Sequence, residues 1–240
     1  MIISILKDQM SKIIAVLQPN YIPWKGYFDI IQYVDEFVFL DDVQYTKRDW
    51  RNRNKIKTQH GPSWLTVPVI SKNNFYQNIN KTKIDGDLWK RKHWRSLEIY
   101  YGNAKYYTDI RKLLSPVYQS ESFNTLSKLN IRLTKLICEY IGIITNFSNS
   151  SDFSISADKN VRIIDLCQQT QSTTYLSGPS AQHYIDEEKF KNNKIEIRWI
   201  EYGNYPQYHQ LWGSFDHNVS ILDLLFNCGK DAAQFMGCIK

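Results

Sequence analysis

Two adjacent carboxylates, Asp41 and Asp42, follow a short apolar run in the sequence VDEFVFLDD. Successive side chains of an extended chain point to opposite faces, so we expect only one of the two to enter a cleft. A carboxylate in that position can act as a general base towards an amine or hydroxyl, as a ribose ligand or as a Mg²⁺ ligand. A helix cap, or a salt bridge to the basic residues that follow, is the structural alternative.

A second candidate region is the loop PNYIPWKGY, residues 19–27, which follows the apolar run IIAVL and contains two prolines and one glycine. α/β proteins commonly bind phosphate where a strand ends and a helix begins, because the first backbone N–H groups of the helix favour an anion. Gly26 would permit close approach of the backbone to a phosphate. A proline-stiffened loop that packs on the sheet is the alternative. The predicted binding residues here are Gln18, Pro19, Asn20, Tyr21, Trp24, Lys25, Gly26 and Tyr27.

Basic residues crowd between positions 47 and 57. Guanidinium groups match diphosphate oxygens in a bidentate manner, and asparagines add neutral hydrogen bonds. A solvated hairpin face is the alternative. A nucleic-acid tract is less favoured, because 24 acidic residues are interspersed with the 30 basic ones, and this pattern indicates local anion sites. The predicted binding residues of this stretch are Lys47, Arg51, Asn52, Arg53 and Asn54.

The segment SGPSAQHYI predicts a second turn from a strand into a helix. Ser177, Gly178 and Ser180 would form an anion cradle of small residues, and His183 one turn later is a catalytic candidate. A structural histidine is the alternative. Ser177 lacks a nucleophile elbow, so no hydrolase triad is inferred.

The elements that must position these residues alternate between strand and helix. An alternation of this kind predicts a parallel sheet with right-handed crossovers, whose ligands bind at the carboxyl ends of the strands. Residues 85–150 are predicted to be a helical insertion or packing layer within a single domain that spans residues 1–240. Strands are predicted at 13–17, 34–40, 64–70, 174–176 and 195–199, and helices at 29–33, in three segments between 88 and 141, and at 159–169.

Composition limits the class of protein. At 240 residues the chain can bury a substantial core without disulfides or metal. Its four cysteines match no common zinc or redox spacing, so free thiols in a reducing cytoplasm are expected. No signal peptide and no transmembrane helix are expected, because the N-terminus lacks a small-residue cleavage site and no apolar run reaches about 18 residues.

Five motifs, which follow one another along the chain from about residue 13 onwards, resemble those of the WbqC-like family. They are QPNYIPWKGYFDII, FVFLDDVQYTKRDWRNRNKIKT, WLTVPV, TYLSGPSAQHYID and FDHNVSILDLLFNCG. The resemblance implies a role in bacterial surface-polysaccharide (O-antigen) biosynthesis, and hence work on activated sugars, often amino sugars.

The order of strand, PNYIP, WKGY and helix is also similar to the HxGH region of class I nucleotidyltransferases. This weaker likeness implies a Rossmann-like (HUP/nucleotidyltransferase-like) α/β core. Trp24 and Tyr27 stand where those enzymes carry histidines. The two imidazoles that stabilise the adenylyl-transfer transition state in those enzymes are therefore missing here, although a nucleotide-binding shape can persist.

The functional hypothesis is a transferase that moves an acyl or aminoacyl group onto the amine of a nucleotide-linked amino sugar. Asp41 or Asp42 would take the proton that the attacking ammonium must lose. The substrate would be a nucleotide sugar and the donor ATP or an acyl or aminoacyl carrier, with an aminoacyl-tRNA as the one nucleic-acid partner considered. The alternatives are an adenylate-forming or nucleotidyl-transferring enzyme and a non-catalytic binding protein in polysaccharide assembly. The oligomeric state, with a homo-oligomer as one option, stays open.

Overall fold

The computed structural model describes residues 11–203 and 205–237. Residues 1–10, which bear on the expected lack of a signal peptide, and Cys238 lie outside the described residues. The strands are β1 (Ile13–Leu17), β2 (Glu36–Phe39), β3 (Arg53–Thr58), β4 (Gly61–Thr66), β5 (Asn146–Asn149), β6 (Thr174–Ser177) and β7 (Glu196–Trp199). The α-helices are α1 (Lys25–Gln32), α2 (Leu88–Tyr101), α3 (Tyr107–Ser115), α4 (Leu126–Ile141), α5 (Lys159–Gln169), α6 (Glu187–Asn192) and α7 (Ile221–Cys228).

Five strands form a parallel sheet in the order β5-β2-β1-β6-β7, which confirms the predicted α/β class with a parallel sheet. β1 is central because its apolar IIAVL run is buried on both faces. From β1 the chain builds outwards through β2 and β5 on one side, then returns to add β6 and β7 on the other. The strand order therefore reverses between β1 and β6, and a crevice opens at such a point at the carboxyl ends of the strands.

Several predicted boundaries need correction. The first helix begins at Lys25, not at residue 29, so Lys25, Gly26 and Tyr27 belong to the helix and not to the loop. The fourth strand covers residues 61–66 instead of 64–70, because a tight turn at Gln59 and His60 pairs Thr58 directly with Gly61. The strand predicted at 34–40 is shorter, at 36–39.

The range 85–150 is helical over most of its length but is not a purely helical layer. Gly102 and Pro116 separate its three helices as predicted, and Gly142, at φ +81°, ends α4 in the left-handed conformation that glycine favours. β5, which was not predicted, lies inside this range and pairs with β2 as an edge strand. Its sequence NFSN lacks both an apolar run and alternation, so only the pairing defines it.

Both faces of the sheet are covered. The larger core packs α1, α2, α4 and α7 against one face, and a smaller core packs α5 and α6 against the other. Cys138, Cys167 and Cys228 are buried free thiols, as expected. Within residues 11–203 and 205–237, no helix combines the length and apolar character needed to cross a bilayer.

Candidate functional site

The loop between β1 and α1, residues 18–24, is held by side chains from distant parts of the chain. The Asn130 amide, on α4, donates to the backbone carbonyl of Pro19 at 3.0 Å and to that of Arg51 at 2.8 Å. The Tyr27 hydroxyl donates to the carbonyl of Gln18 at 3.1 Å. Pro19 and Tyr27, predicted as ligand contacts, therefore take part in fixing this loop.

The second half of the loop is held in the same way. The Asn54 amide, on β3, donates to the carbonyls of Tyr21 and Ile22 at 3.3 and 3.0 Å, and the backbone N–H of Ile221 donates to Pro23 at 2.9 Å. Ile22 has φ +37°, which is strained for a β-branched residue. Strain of this kind persists only where the surroundings over-determine the backbone, as is common at binding sites.

Tyr21 anchors the loop in the core. Its hydroxyl is 2.6 Å from the Tyr118 hydroxyl and 2.8 Å from Nδ1 of His93. Nε2 of His93 lies 3.1 Å from the backbone carbonyl of Thr66, so Nε2 carries the proton and Nδ1 accepts from Tyr21. Burial lowers the pKa of His93 to about 4. The side chain of Tyr21, predicted as a ligand contact, is fully buried and lines neither of the cavities beside this loop.

A cavity of about 530 Å³ opens at the carboxyl ends of β1, β2 and β6. We call it the crevice. It lies where the strand order reverses, and it contains side chains of both charges. Its polar lining consists of Gln18, Asp42, Gln44, Asn78, Lys159, Arg162, Tyr175 and Tyr184.

The two adjacent carboxylates point to opposite sides, as predicted. Asp42 lines the crevice, where the Ser150 hydroxyl donates to its Oδ1 at 2.5 Å. Asp41 is buried and accepts a hydrogen bond from the Ser127 hydroxyl on α4. Burial raises the pKa of Asp41, and the charge of Asp42 adds to the rise. Asp42 is thus the candidate general base, and Asp41 does not line the crevice.

The cations of the crevice come from α5 and were not predicted. Lys159 and Arg162 are three residues apart and share one face of the helix. Arg162 donates to the carbonyls of Ser156 and Ala157 at 3.0 and 3.2 Å, which orients its guanidinium group. The carboxylate of Asp158 already caps two backbone N–H groups of this helix, so anion binding here depends on the two side chains. The sequence does carry a signal for these two cations, because both lie in the first turn of a helix that follows a capping aspartate.

Arg51 binds Gln18 of the β1–α1 loop and does not line the crevice. Its Nε donates to Oε1 of Gln18 at 2.5 Å, and its Nη1 pairs with Asp49 at 2.8 Å. Burial lowers the pKa of Arg51, and Asp49 opposes that effect. The predicted diphosphate ligand is therefore a residue that positions Gln18.

The remaining basic stretch does not form one anion site. Asn52 is buried and donates to a backbone carbonyl just beyond β4. Arg53 lies over the ring of Trp64, with its guanidinium carbon 4.2 Å from the centroid. Lys47 is exposed and lines no described cavity, and Lys57 is buried and donates to Gln210 at 2.5 Å.

A second cavity, of about 230 Å³, lies beside the same loop. We call it the neutral pocket, because none of its lining residues is charged. They are Asn20, Pro23, Trp24, Trp50, Asn54 and Asn218. Three predicted binding residues, Asn20, Trp24 and Asn54, therefore line this pocket and not the crevice.

The proposed phosphate contact at Gly26 is not supported. A Cβ atom at this position would lie 2.3 Å from Cζ2 of Trp24, so the missing side chain makes room for the indole. Lys25 is also turned away from the crevice. Its ammonium is 4.6 Å from the ring centroid of Tyr205 and donates to the carbonyl of Pro206 at 3.5 Å.

Replacing Gly26 by alanine is expected to displace the Trp24 indole and to lower the free energy of unfolding by about 1–3 kcal/mol, the usual range for overpacking. Chemical denaturation followed by tryptophan emission measures both effects. Gly178→Ala is the matched control, because its nearest neighbouring atom would lie 3.9 Å away and its φ of −77° suits alanine. Equal stability of the two variants would contradict the packing role of Gly26.

The second predicted turn, in the segment SGPSAQHYI, contributes fewer residues to the crevice than expected. Ser177 is buried, and its hydroxyl donates to that of Tyr175, a crevice residue, at 3.2 Å. Gly178 leads into the short 3₁₀ helix Pro179–His183, not directly into an α-helix. Ser180 and His183 are exposed and do not line the crevice. The anion cradle and the catalytic histidine predicted here are therefore not assembled at the crevice.

These features define an α/β protein with a five-stranded parallel sheet and a charged crevice at the carboxyl ends of its central strands. Residues 18–235 match the WbqC-like protein family, and the chain belongs to that family, as its motifs predicted. It is 50% identical over 225 residues to the uncharacterized protein Rv1507c of Mycobacterium tuberculosis strain H37Rv, an alignment that covers 94% of this chain and 97% of the relative. No solved structure matches the chain significantly.

Proposed function

We propose that this protein is an enzyme of bacterial surface-polysaccharide biosynthesis that transfers an acyl or aminoacyl group to the amine of a nucleotide-linked amino sugar. One observation carries the proposal: Lys159 and Arg162 share a crevice with the carboxylate of Asp42. Two cations suit a diphosphate, and a carboxylate suits the proton of an ammonium group.

The position and size of the crevice support a nucleotide sugar as ligand. In chain order the five parallel strands are arranged 3-2-1-4-5, the arrangement of the first five strands of a Rossmann-like sheet, in which nucleotides bind at the point of reversal. A volume of about 530 Å³ lies within the usual range for small-molecule sites. Tyr175 and Tyr184 supply aromatic surface for a base or sugar.

The reaction follows from the roles of these groups. Asp42 accepts a proton from the sugar ammonium, and the neutral nitrogen attacks the carbonyl carbon of an activated ester or thioester donor. The new C–N bond forms as the bond to the leaving oxygen or sulfur breaks, the leaving group takes the proton from Asp42, and the second proton that the nitrogen loses on becoming an amide passes to water. The Ser150 hydroxyl, 2.5 Å from Oδ1, holds the carboxylate during both transfers.

The test combines binding and turnover with the purified protein. Titration with nucleoside diphosphate-linked amino sugars is expected to show binding that Lys159→Ala and Arg162→Ala each weaken at least about tenfold, since each removes a phosphate partner. Arg132→Ala is the matched control, because that arginine, on α4, pairs with Glu121 and does not line the crevice. Incubation with ester and thioester donors is expected to add the mass of the acyl group to the sugar.

Each outcome separates the alternatives. Absence of nucleotide-sugar binding would overturn the proposal. Binding without mass gain from any donor would favour a non-catalytic binding protein, and ATP turnover with pyrophosphate release would favour nucleotidyl transfer. The last alternative has less structural support, because neither Trp24 nor Tyr27, at the positions of the HxGH histidines, lines the crevice.

A further inference from the structure

We propose that the neutral pocket is a saccharide-binding subsite, separate from the crevice, that holds one sugar ring by its hydroxyl groups and its apolar face. The inference does not depend on the reaction proposed for the crevice. It depends on the chemistry, size and rigidity of the pocket's own lining.

The lining offers aromatic and neutral hydrogen-bonding groups together. Trp24 and Trp50 supply large apolar faces, on which the C–H groups of a sugar ring can pack. The side-chain amides of Asn20 and Asn218 each carry donor and acceptor atoms, which match hydroxyl groups in either role. These two amides come from distant chain segments, so they can reach different hydroxyls around the perimeter of a ring, while the amide of Asn54 is bonded to the backbone. None of these residues carries a positive charge that could bind a phosphate.

The size of the pocket also favours a single ring. Its volume of about 230 Å³ is below the range of about 300–1,000 Å³ that is usual for sites enclosing a drug-sized ligand. The crevice, at about 530 Å³, is more than twice as large. A whole nucleotide sugar suits the crevice, and a monosaccharide unit suits the neutral pocket.

The pocket continues into an exposed aromatic surface. Trp50 and Trp64 are 44% and 41% exposed, and their ring centroids are 5.5 Å apart. Arg53 and Lys55 lie over the Trp64 ring at 4.2 and 5.1 Å from its centroid. Exposed tryptophans are unusual unless they bind something, and this pair would support the sugar that follows the one in the pocket. The two cations would favour an acidic substituent on that second sugar.

The floor of the pocket is rigid before any ligand binds. Asn54 donates to the carbonyls of Tyr21 and Ile22, and the backbone N–H of Tyr21 donates to the carbonyl of Trp50 at 3.0 Å. Preorganised groups lose little conformational entropy on binding, which favours a small polar ligand.

The neutral pocket and the crevice adjoin the same short loop. Gln18 lines the crevice and Asn20 lines the neutral pocket, so the two residues are at most about 7 Å apart along the backbone. A saccharide in one site and a nucleotide sugar in the other would thus be held by neighbouring residues of one rigid loop.

The experiment is ligand-observed saturation-transfer NMR on the full chain, with methyl glycosides of hexoses and N-acetylhexosamines, and with uridine and adenosine as competing ligands. We expect saturation transfer to at least one glycoside, and at least a tenfold loss of its affinity in Trp50→Ala. This variant keeps the backbone carbonyl that accepts from Tyr21 and removes only an exposed ring. Trp199→Phe is the control, since that indole, on the edge strand β7, donates to Glu187 on α6 and lines neither site.

Asn218→Ala provides a second test, because this residue is exposed and its loss should not affect folding. We expect it to weaken glycoside binding several-fold while nucleotide-sugar binding stays within twofold. Absence of glycoside binding, or unchanged affinity in Trp50→Ala, would overturn the subsite. Displacement of the glycoside by free uridine or adenosine would overturn it in favour of a nucleobase pocket. Binding of nucleotide sugar sensitive to Arg162→Ala but not to Trp50→Ala would leave the proposed function standing by itself.

Discussion

Asp42→Asn is expected to reduce acyl transfer by about 10²–10⁴-fold, the usual contribution of a general base, while nucleotide-sugar affinity changes little. Asparagine has nearly the same shape and keeps an oxygen that accepts from the Ser150 hydroxyl, so the geometry of the crevice is preserved. It cannot accept the proton of the attacking ammonium. Initial rates measured across pH 6–9, together with binding titrations, separate this loss of turnover from a loss of binding.

Asp41→Asn is the matched control for that experiment. Asp41 is adjacent in sequence but buried against Ser127, so its replacement is expected to leave turnover within a few-fold of the wild type. Burial raises the pKa of Asp41 above its unfolded value of about 3.8. The contribution of the Asp41 carboxyl to the free energy of unfolding is therefore fully present below pH 3.8 and is lost as the pH rises through the folded pKa. At neutral pH the uncharged asparagine should raise the free energy of unfolding. An inactive Asp41→Asn beside an active Asp42→Asn would contradict the assignment of Asp42.

The second large effect is an acid-dependent loss of stability caused by His93. Its pKa is about 4 in the folded protein, against an ordinary value of 6.5 for an exposed histidine, a difference that corresponds to about 3 kcal/mol. Because the folded pKa is lowered, the stabilisation is fully present above pH 6.5 and is lost as the pH falls towards 4. Urea unfolding at several values between pH 4.5 and 8 measures this dependence.

His93→Gln isolates the contribution of the imidazole. The variant should be less stable than the wild type at pH 7.5, because the bonds to Tyr21 and Thr66 are weakened, and the difference should shrink by most of the 3 kcal/mol at pH 4.5. His60→Gln is the control, since that histidine is exposed in the β3–β4 turn and has no bond to Tyr21 or Thr66. A pH profile of His93→Gln parallel to that of the wild type would refute the role of His93. Because Tyr21 joins His93 to the β1–α1 loop, acid should also loosen this loop, which adjoins the crevice and the neutral pocket.

Two of the motifs recognised from the sequence meet at this loop. Its carbonyls are bound by Asn130 from α4, Asn54 from β3 and the backbone of Ile221 at the start of α7. Asn54 belongs to the motif FVFLDDVQYTKRDWRNRNKIKT and Ile221 to the motif FDHNVSILDLLFNCG. In this chain, residues of both motifs therefore support one loop conformation.

Local patterns determined much of the fold. β1 and α5 were predicted at the residues where they lie, because the first is a continuous apolar run and the second has a helical period behind a capping aspartate. β7 begins one residue later than predicted and ends at the predicted residue, Trp199. β5 was missed because NFSN carries no apolar signal and becomes a strand only by pairing with β2.

Some features of the candidate site could likewise be predicted from local sequence, and others could not. The sequence by itself determined the family, the parallel α/β sheet, the position of the β1–α1 loop and the opposite orientation of Asp41 and Asp42, since these depend on local periodicity and motif order. Only the tertiary structure decided that Arg51, Asn52 and Asn54 hold other residues and that Lys159 and Arg162 line the same crevice as Asp42. The physical reason is that a polar side chain has the same chemistry whether it binds a ligand or a buried carbonyl. Which partner it meets depends on the order in which distant strands are placed in the sheet.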